Sequence, residues 1–276
     1  MIYNTFQDIR LSGLGFGAMR LPVIDGDDSR IDEIAALRMV DTAMENGINY
    51  YDTAYIYPGS EVALGEILEK NNIRKEVSIA TKMPHYLVKN TKDFDKIFNQ
   101  QLKHLRTDYI DYYLIHMLPD VDTWERLKGL GILEWIDEKK ASGAIRQIGF
   151  SYHGNTDKFC DLIDVYDWEF CQIQYNYLDE HAQAGRKGLY HAHAKGIPVI
   201  IMEPLRGGKL VIGEDTVLDV PGVEDQEVFV GIRPEGFELD PAGAFHCNLS
   251  NVEIMGRDMS IVATNPASLN PVVRAI

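Results

Sequence analysis

Four residues whose side chains can hold or move a proton stand at or just after the ends of three successive apolar runs. Asp52 closes INYYD, Tyr57 follows it by five residues, and the next two runs end in Lys82 (VSIATK) and His116 (YYLIH). A lysine ammonium beside a buried phenol favours the phenolate and lowers a pKa that is about 10 in water, and an aspartate can hold that lysine. We therefore predict that Tyr57 donates a proton to an alkoxide that develops on a bound substrate.

These side chains can meet only if the runs that carry them are neighbouring strands of one sheet. From residue 11 to about residue 205 short apolar runs alternate with amphipathic stretches, which is typical of βα units. Roughly seven such units, with strands that are apolar on both faces, favour a barrel of the (β/α)8 type, whose chemistry lies at the carboxyl ends of the strands. An open, doubly wound sheet is the alternative. The predicted strands are LGFGAM, INYYDTA, VSIATK, YIDYYLIH, IRQIGFS, CQIQYN and IPVIIMEPL.

The order of these motifs resembles one enzyme family. DTAxxY with SExxxG behind it, then a strand-ending lysine, then a strand-ending histidine, is the pattern of the aldo/keto reductases. The resemblance implies an α/β (β/α)8 barrel that uses NADPH, with Asp52, Tyr57, Lys82 and His116 as the catalytic tetrad. It implies that Tyr57 is the acid, that Lys82 and Asp52 tune it, and that His116 orients the carbonyl.

The same resemblance implies where a nicotinamide cofactor binds. Ser151 in IGFSYH and Gln172 in CQIQYN match positions that hydrogen-bond the nicotinamide carboxamide in the family. Met202 falls where many members stack an aromatic ring on the nicotinamide, so that contact is expected to be weakened or replaced. The expected cofactor-binding residues are Gly17, Met19, Arg20, Asp52, Ser151, Gln172, Met202 and Leu205.

The sequence changes character after Pro204, and we expect two domains, 1–210 and 211–276. A barrel of eight units usually needs about 250 residues, so we predict an incomplete barrel of about seven strands followed by a short all-β tail. EVFVGIRPEGFELD and the strand pattern after it resemble the OB-type (TOBE) regulatory segment of sugar-transport ABC ATPases, over about residues 225 to 265. The ATPase motif GxxxxGK[ST] does not occur in the sequence.

Composition excludes several classes of function. The formal charge of −15 disfavours binding to nucleic acid or to anionic lipid, and no apolar run is long enough to span a membrane. Cys160, Cys171 and Cys247 are too few and too widely spaced for a disulfide framework or a thiolate metal site. We therefore expect a cytoplasmic protein without a metal centre.

The first functional hypothesis is an NADP-dependent oxidoreductase that reduces a small aldehyde or ketone to an alcohol. In the family, the last strand, the loop after it and the final helix hold the cofactor phosphates, and the sequence shows no such unit. Two alternatives follow: a catalytically impaired, truncated or chimeric barrel that acts as a binding module, and a transport-associated regulatory protein that acts through its tail. The substrate and the oligomeric state are left open.

Overall fold

The computed structural model divides the chain into two compact units, Met1–Pro204 and Leu205–Ile276. The structure describes residues 1–205, apart from Asp8, Ser29 and Tyr177, and the backbone of three strands between residues 248 and 275. The segment EVFVGIRPEGFELD, on which most of the OB-type resemblance depends, lies outside the described residues.

The first unit contains a curled sheet of seven parallel strands, preceded by an antiparallel hairpin of β1 (Tyr3–Phe6) and β2 (Ile9–Ser12). The sheet order is the chain order, from β3 to β9. Its strands are β3 (Phe16–Gly17), β4 (Tyr50–Asp52), β5 (Ser78–Pro84), β6 (Ile110–His116), β7 (Ile145–Tyr152), β8 (Phe170–Gln174) and β9 (Val199–Met202).

Helices connect the strands and cover the outer face of the sheet. They are α1 (Glu33–Glu45), α2 (Ser60–Lys70), α3 (Lys92–His104), α4 (Val121–Gly129), α5 (Ile132–Ala141), α6 (Thr156–Asp164) and α7 (Gly185–Ala194). Capping side chains fix several of their starts: Asp32 accepts hydrogen bonds from two backbone N–H groups of α1, and Asn155 accepts one from the first turn of α6. Between helices and sheet lies the main core, in which Trp168 packs against Phe150 and Trp124 at 4.7 and 4.8 Å between ring centroids.

The inner face of the curled sheet is filled by aromatic side chains. Tyr112 lies 5.6 Å from Tyr50 and 5.3 Å from Phe170, and Phe6 of the hairpin reaches Tyr112 at 5.6 Å, all between ring centroids. The hairpin turn is held at the amino end of the strands, because Gln7 Nε2 donates to the carbonyl that precedes β8 at 2.7 Å. The hairpin therefore closes the amino end of the sheet and leaves the carboxyl end for the site.

The strand order decides between the two folds that the sequence allowed. Seven consecutive parallel neighbours curled around an inner core form a partial barrel, as predicted, and the doubly wound alternative is wrong. Within the described residues no strand joins β9 to β3. The hairpin was not predicted from the sequence, because it lies in a segment without helix–strand alternation.

The second unit contains an antiparallel sheet in the order β10 (Asn248–Met255), β11 (Asp258–Thr264) and β12 (Val272–Ala275). These three strands do not establish an OB-type fold, which therefore stays a prediction. In the described part of the chain, no helix has both the length and the apolar character that a membrane crossing requires.

Candidate active site

The strand register brings three of the predicted residues to one end of the sheet. Asp52 is the last residue of β4 and pairs with Gly17 on one side and Ala80 on the other. Lys82 lies two residues further along β5, and His116 ends β6 beside Pro84. The carboxyl-end halves of β4, β5 and β6 therefore carry these three groups at one mouth, as predicted for a barrel.

Lys82 is buried, and its charge is matched by Asp52. Its side chain is 2% exposed, and Nζ donates to Asp52 Oδ1 at 2.5 Å and to the carbonyl of Thr53 at 2.8 Å. An ammonium this deeply buried needs a counter-charge and full hydrogen bonding to remain ionised. The pair thus holds the Lys82 ammonium in a fixed position at the base of the site.

Tyr57 lies over this ammonium, on the loop between β4 and α2. Lys82 Nζ is 5.3 Å from the centre of the Tyr57 ring, and the His116 ring is 5.9 Å away, edge to face. Burial raises the pKa of Tyr57, Lys82 lowers it, and the charges of Asp52 and Glu203 raise it further, so that the net shift is upward. Lys82 thus lowers this pKa as predicted, but burial outweighs the ammonium, which the sequence alone did not reveal.

His116 is neutral at physiological pH. Burial, followed by the nearby charge of Lys82 and then by His153 and His85, lowers its pKa to about 3. Its Nδ1 is buried and has no hydrogen-bond partner among the described residues. A neutral imidazole can donate one hydrogen bond and accept another without adding charge to the site.

Ser151 and Gln172 are register partners on β7 and β8, and both are buried. Gln172 Nε2 donates to Asp52 Oδ2 at 2.8 Å, while its Oε1 is buried without a hydrogen-bond partner in the part of the chain that the structure describes. Ser151 Oγ accepts the N–H of Met117 at 2.8 Å. An unmatched buried acceptor is costly, and it suits a donor such as the amide N–H of a carboxamide.

The remaining expected cofactor residues lie further out. Gly17 ends β3 beside Asp52, and Met19 and Arg20 follow in an exposed 3-10 turn. Met202 ends β9 beside Gln174 and is half-buried. Leu205 is the first residue of the second unit, so the structure does not place it in the site.

Two residues that fix the Tyr57 loop were missed. Thr53 Oγ1 and Ser60 Oγ, on either side of this loop, are 2.7 Å apart, and Ser60 Oγ donates to the carbonyl of Ala18 at 2.7 Å. Both residues stand inside the motifs DTAxxY and SExxxG, which was the available signal. Their hydrogen bonds close the loop at its base.

The family model of the aldo/keto reductases matches residues 13–264 of this chain. This chain belongs to the aldo/keto reductase family. Among the family's named proteins, methylglyoxal reductase DkgB of Salmonella typhi is 31% identical over 135 residues, which cover 48% of each chain. The uncharacterized oxidoreductase YrpG of Bacillus subtilis is 27% identical over 232 residues, 73% of this chain and 65% of that one. The chain thus spans about half to two thirds of the length of these relatives.

Solved aldo/keto reductase structures share the fold. The holo form of AKR11C1 from Bacillus halodurans superimposes with a TM-score of 0.63 at 24% identity, over 79% of this chain and 73% of that chain. An aldo-keto reductase from Klebsiella pneumoniae in complex with NADPH superimposes with a TM-score of 0.61 at 21% identity, over 78% of this chain and 72% of that chain. At these identities the likeness establishes the barrel architecture alone.

Proposed function

We propose that this protein reduces an aldehyde or ketone to the alcohol with NADPH, and that Tyr57 is the proton donor. The arrangement that carries the proposal is the buried Lys82–Asp52 pair beneath the Tyr57 ring, with a neutral His116 against the ring edge. Membership in the aldo/keto reductase family supports the same reaction class.

Each side chain has a distinct task in this proposal. Tyr57 holds its proton at neutral pH, and its raised pKa extends that range to higher pH. It releases the proton as negative charge develops on the substrate oxygen. Lys82 then stabilises the phenolate, while Asp52 and the Thr53 carbonyl keep the ammonium in place. His116 orients the carbonyl through a hydrogen bond, and its neutrality leaves the positive charge concentrated at Lys82.

The nicotinamide end of a cofactor fits the residues present. The unmatched Gln172 Oε1 and the Ser151 hydroxyl would hold its carboxamide. Gly17, Met19, Arg20 and Met202 would line the cleft, as the family resemblance implies. The cofactor, when bound, supplies the hydride. NADPH in preference to NADH belongs to the proposal, and so does the role of each of these residues.

We also propose that residues 1–210 and 211–276 are separate domains and that the second resembles the OB-type segment of transport ATPases. The support for that resemblance is the sequence alone. The family match runs to residue 264 and so overlaps this segment. The two alternative functions, a non-catalytic binding module and a transport-associated regulator, gain no support from the described residues.

The test is NADPH oxidation by the purified full chain against a panel of small aldehydes and ketones. We expect Tyr57→Phe to abolish turnover and to leave NADPH affinity within about twofold of wild type, because the phenol acts on the developing alkoxide. Equal loss of binding and turnover would assign Tyr57 a structural role. A wild-type chain that reduces none of these carbonyls would overturn the proposed function.

A further inference from the structure

A buried polar cluster lies behind Lys82, on the side of β5 away from the Tyr57 ring. It consists of Glu61, Thr81, Gln101 and Tyr113, all of which are 3% exposed or less. They come from α2, β5, α3 and β6 respectively. We call these four residues the Glu61 cluster. Burying polar groups costs free energy unless each one has a hydrogen-bond partner. Apolar packing alone therefore does not explain why these four polar residues are buried together.

Hydrogen bonds fix the Gln101 amide in one orientation. Tyr113 OH donates to Gln101 Oε1 at 2.6 Å, and Gln101 Nε2 donates to Glu61 Oε1 at 2.8 Å. Thr81 Oγ1 also donates to Glu61 Oε1, at 2.6 Å. The amide therefore presents its nitrogen toward Glu61 and β5. The other carboxylate oxygen of Glu61 lies 3.1 Å from His104 Nδ1 at the edge of the cluster.

The cluster reaches the active-site lysine through the backbone of Lys82. Gln101 Nε2 lies 3.1 Å from the Lys82 carbonyl oxygen, which also accepts the N–H of Tyr55 at 3.3 Å. Tyr55 belongs to the loop that carries Tyr57. One carbonyl thus joins the amide of α3, the strand that carries Lys82 and the loop that carries the proposed acid.

We propose that Glu61 and Gln101 are positioning residues, which hold Lys82 Nζ and the Tyr57 loop in register through the Lys82 carbonyl. The inference rests on the proposed function for its catalytic consequence. Its structural basis is independent of that function. The role depends on hydrogen bonds that aim the Gln101 amide, and not on the charge of Glu61 acting through space.

Three substitutions separate the effect of these hydrogen bonds from the effect of the Glu61 charge. Gln101→Met keeps length and removes every hydrogen bond of the amide, and Glu61→Met removes the acceptor that aims it. Glu61→Gln keeps one oxygen that accepts from Thr81 and Gln101, and its amide nitrogen can face His104 Nδ1. This variant should therefore keep the activity that Glu61→Met loses. We expect kcat to fall about 10- to 100-fold in both Met variants, as small displacements of reacting groups do, and to stay within about threefold of wild type in Glu61→Gln.

A matched control separates positioning from stability. Asp111 is a buried carboxylate near the amino end of β6, and it accepts hydrogen bonds from Arg74, Arg146 and the backbone N–H of Ile79. Asp111→Asn disturbs a buried ionic group beside β5 without touching the Glu61 cluster. We expect Asp111→Asn to lower the midpoint temperature of thermal unfolding and to leave kcat within about threefold of wild type.

A second readout does not require turnover. Lys82 Nζ is buried and paired, so an amine-reactive reagent should label it slowly, as followed by peptide mass spectrometry. We expect labelling of Lys82 to be about tenfold faster or more in Gln101→Met and Glu61→Met, and unchanged in Glu61→Gln and Asp111→Asn. Should Gln101→Met fail to accumulate as folded protein, Thr81→Val takes its place, since it removes the hydroxyl next to Lys82.

The outcomes separate the two proposals. A wild-type chain without carbonyl reduction overturns the proposed function, and the labelling series then decides the positioning role alone. An active wild type whose Met variants match it in kcat and in Lys82 labelling overturns the positioning role. Equal losses in Glu61→Gln and Glu61→Met also overturn it, because they would make the charge of Glu61 the active feature.

Discussion

Burial drives both Tyr57 and His116, which lie beside the ammonium of Lys82, toward their neutral forms. For Tyr57 the charge of Lys82 opposes burial and for His116 it reinforces burial, so the pKa of Tyr57 rises and that of His116 falls to about 3. Neither group changes its ionisation near neutral pH. We expect kcat to be flat between about pH 5 and about pH 9 and to fall only as Tyr57 loses its proton at higher pH. A bell-shaped profile centred near pH 7 would contradict these assignments.

The same shift in His116 has a consequence for stability. In the unfolded chain His116 takes up a proton below about pH 6.5, whereas in the folded protein it does so only near pH 3. The unfolded state therefore binds more protons between these values, and stability is lost as the pH falls through this window. We expect the wild-type free energy of unfolding to drop about 2 kcal/mol more than that of His116→Gln between pH 7 and pH 5, as measured by urea denaturation. Equal drops in both proteins would contradict the assignment.

At the scale of elements, a glycine decides how closely α2 approaches the end of α3. A Cβ built on Gly65 would lie 2.2 Å from the carbonyl oxygen of His104 and 2.7 Å from Leu105 Cα. Alanine gains about 1 kcal/mol of helix propensity over glycine, but backbone atoms cannot yield as a side chain would, and overpacking costs about 1–3 kcal/mol.

We therefore expect Gly65→Ala to lower the free energy of unfolding by about 0–2 kcal/mol, the balance of these two terms. Gly129→Ala in α4 is the control, since nothing lies within 4 Å of the added Cβ, and it should be neutral or stabilising. Urea denaturation of both variants measures the contrast. A stabilised Gly65→Ala protein would show that α2 and α3 can separate without cost.

Sequence patterns predicted the strands and helices, because these depend mainly on interactions between residues close in the chain. Apolar runs predicted the strands that carry Asp52, Lys82 and His116, and the amphipathic stretches between them predicted connecting helices. Contacts between distant segments were not predictable in this way. Gln101 meets the Lys82 carbonyl from another element, and the ionisation of Tyr57 depends on burial by several strands and loops.

At the scale of the whole molecule, the affinity for the cofactor tests whether a further strand–loop–helix unit completes the barrel after β9. We predicted from the sequence that the last strand–loop–helix unit is missing, and within the described residues β9 has no parallel neighbour on its far side. Such a unit holds the cofactor phosphates in the family, through charge-assisted hydrogen bonds worth about 1.5–3 kcal/mol each. We expect calorimetry to give a dissociation constant for NADPH weaker than about 10 μM. A low-micromolar or tighter constant would show that residues 206–276 supply these contacts.

The hairpin at the amino terminus sets the order in which the barrel can be completed. Its turn residue Gln7 is fixed by the carbonyl of Glu169, 162 positions later, and Phe6 packs against Phe170. During synthesis the hairpin therefore cannot form these contacts until β8 has emerged from the ribosome. Contacts of such long sequence separation slow folding, because the chain must close a large loop before they contribute. Until then the aromatic side chains inside the growing sheet lack this cover, and transiently exposed apolar surface of this kind favours aggregation.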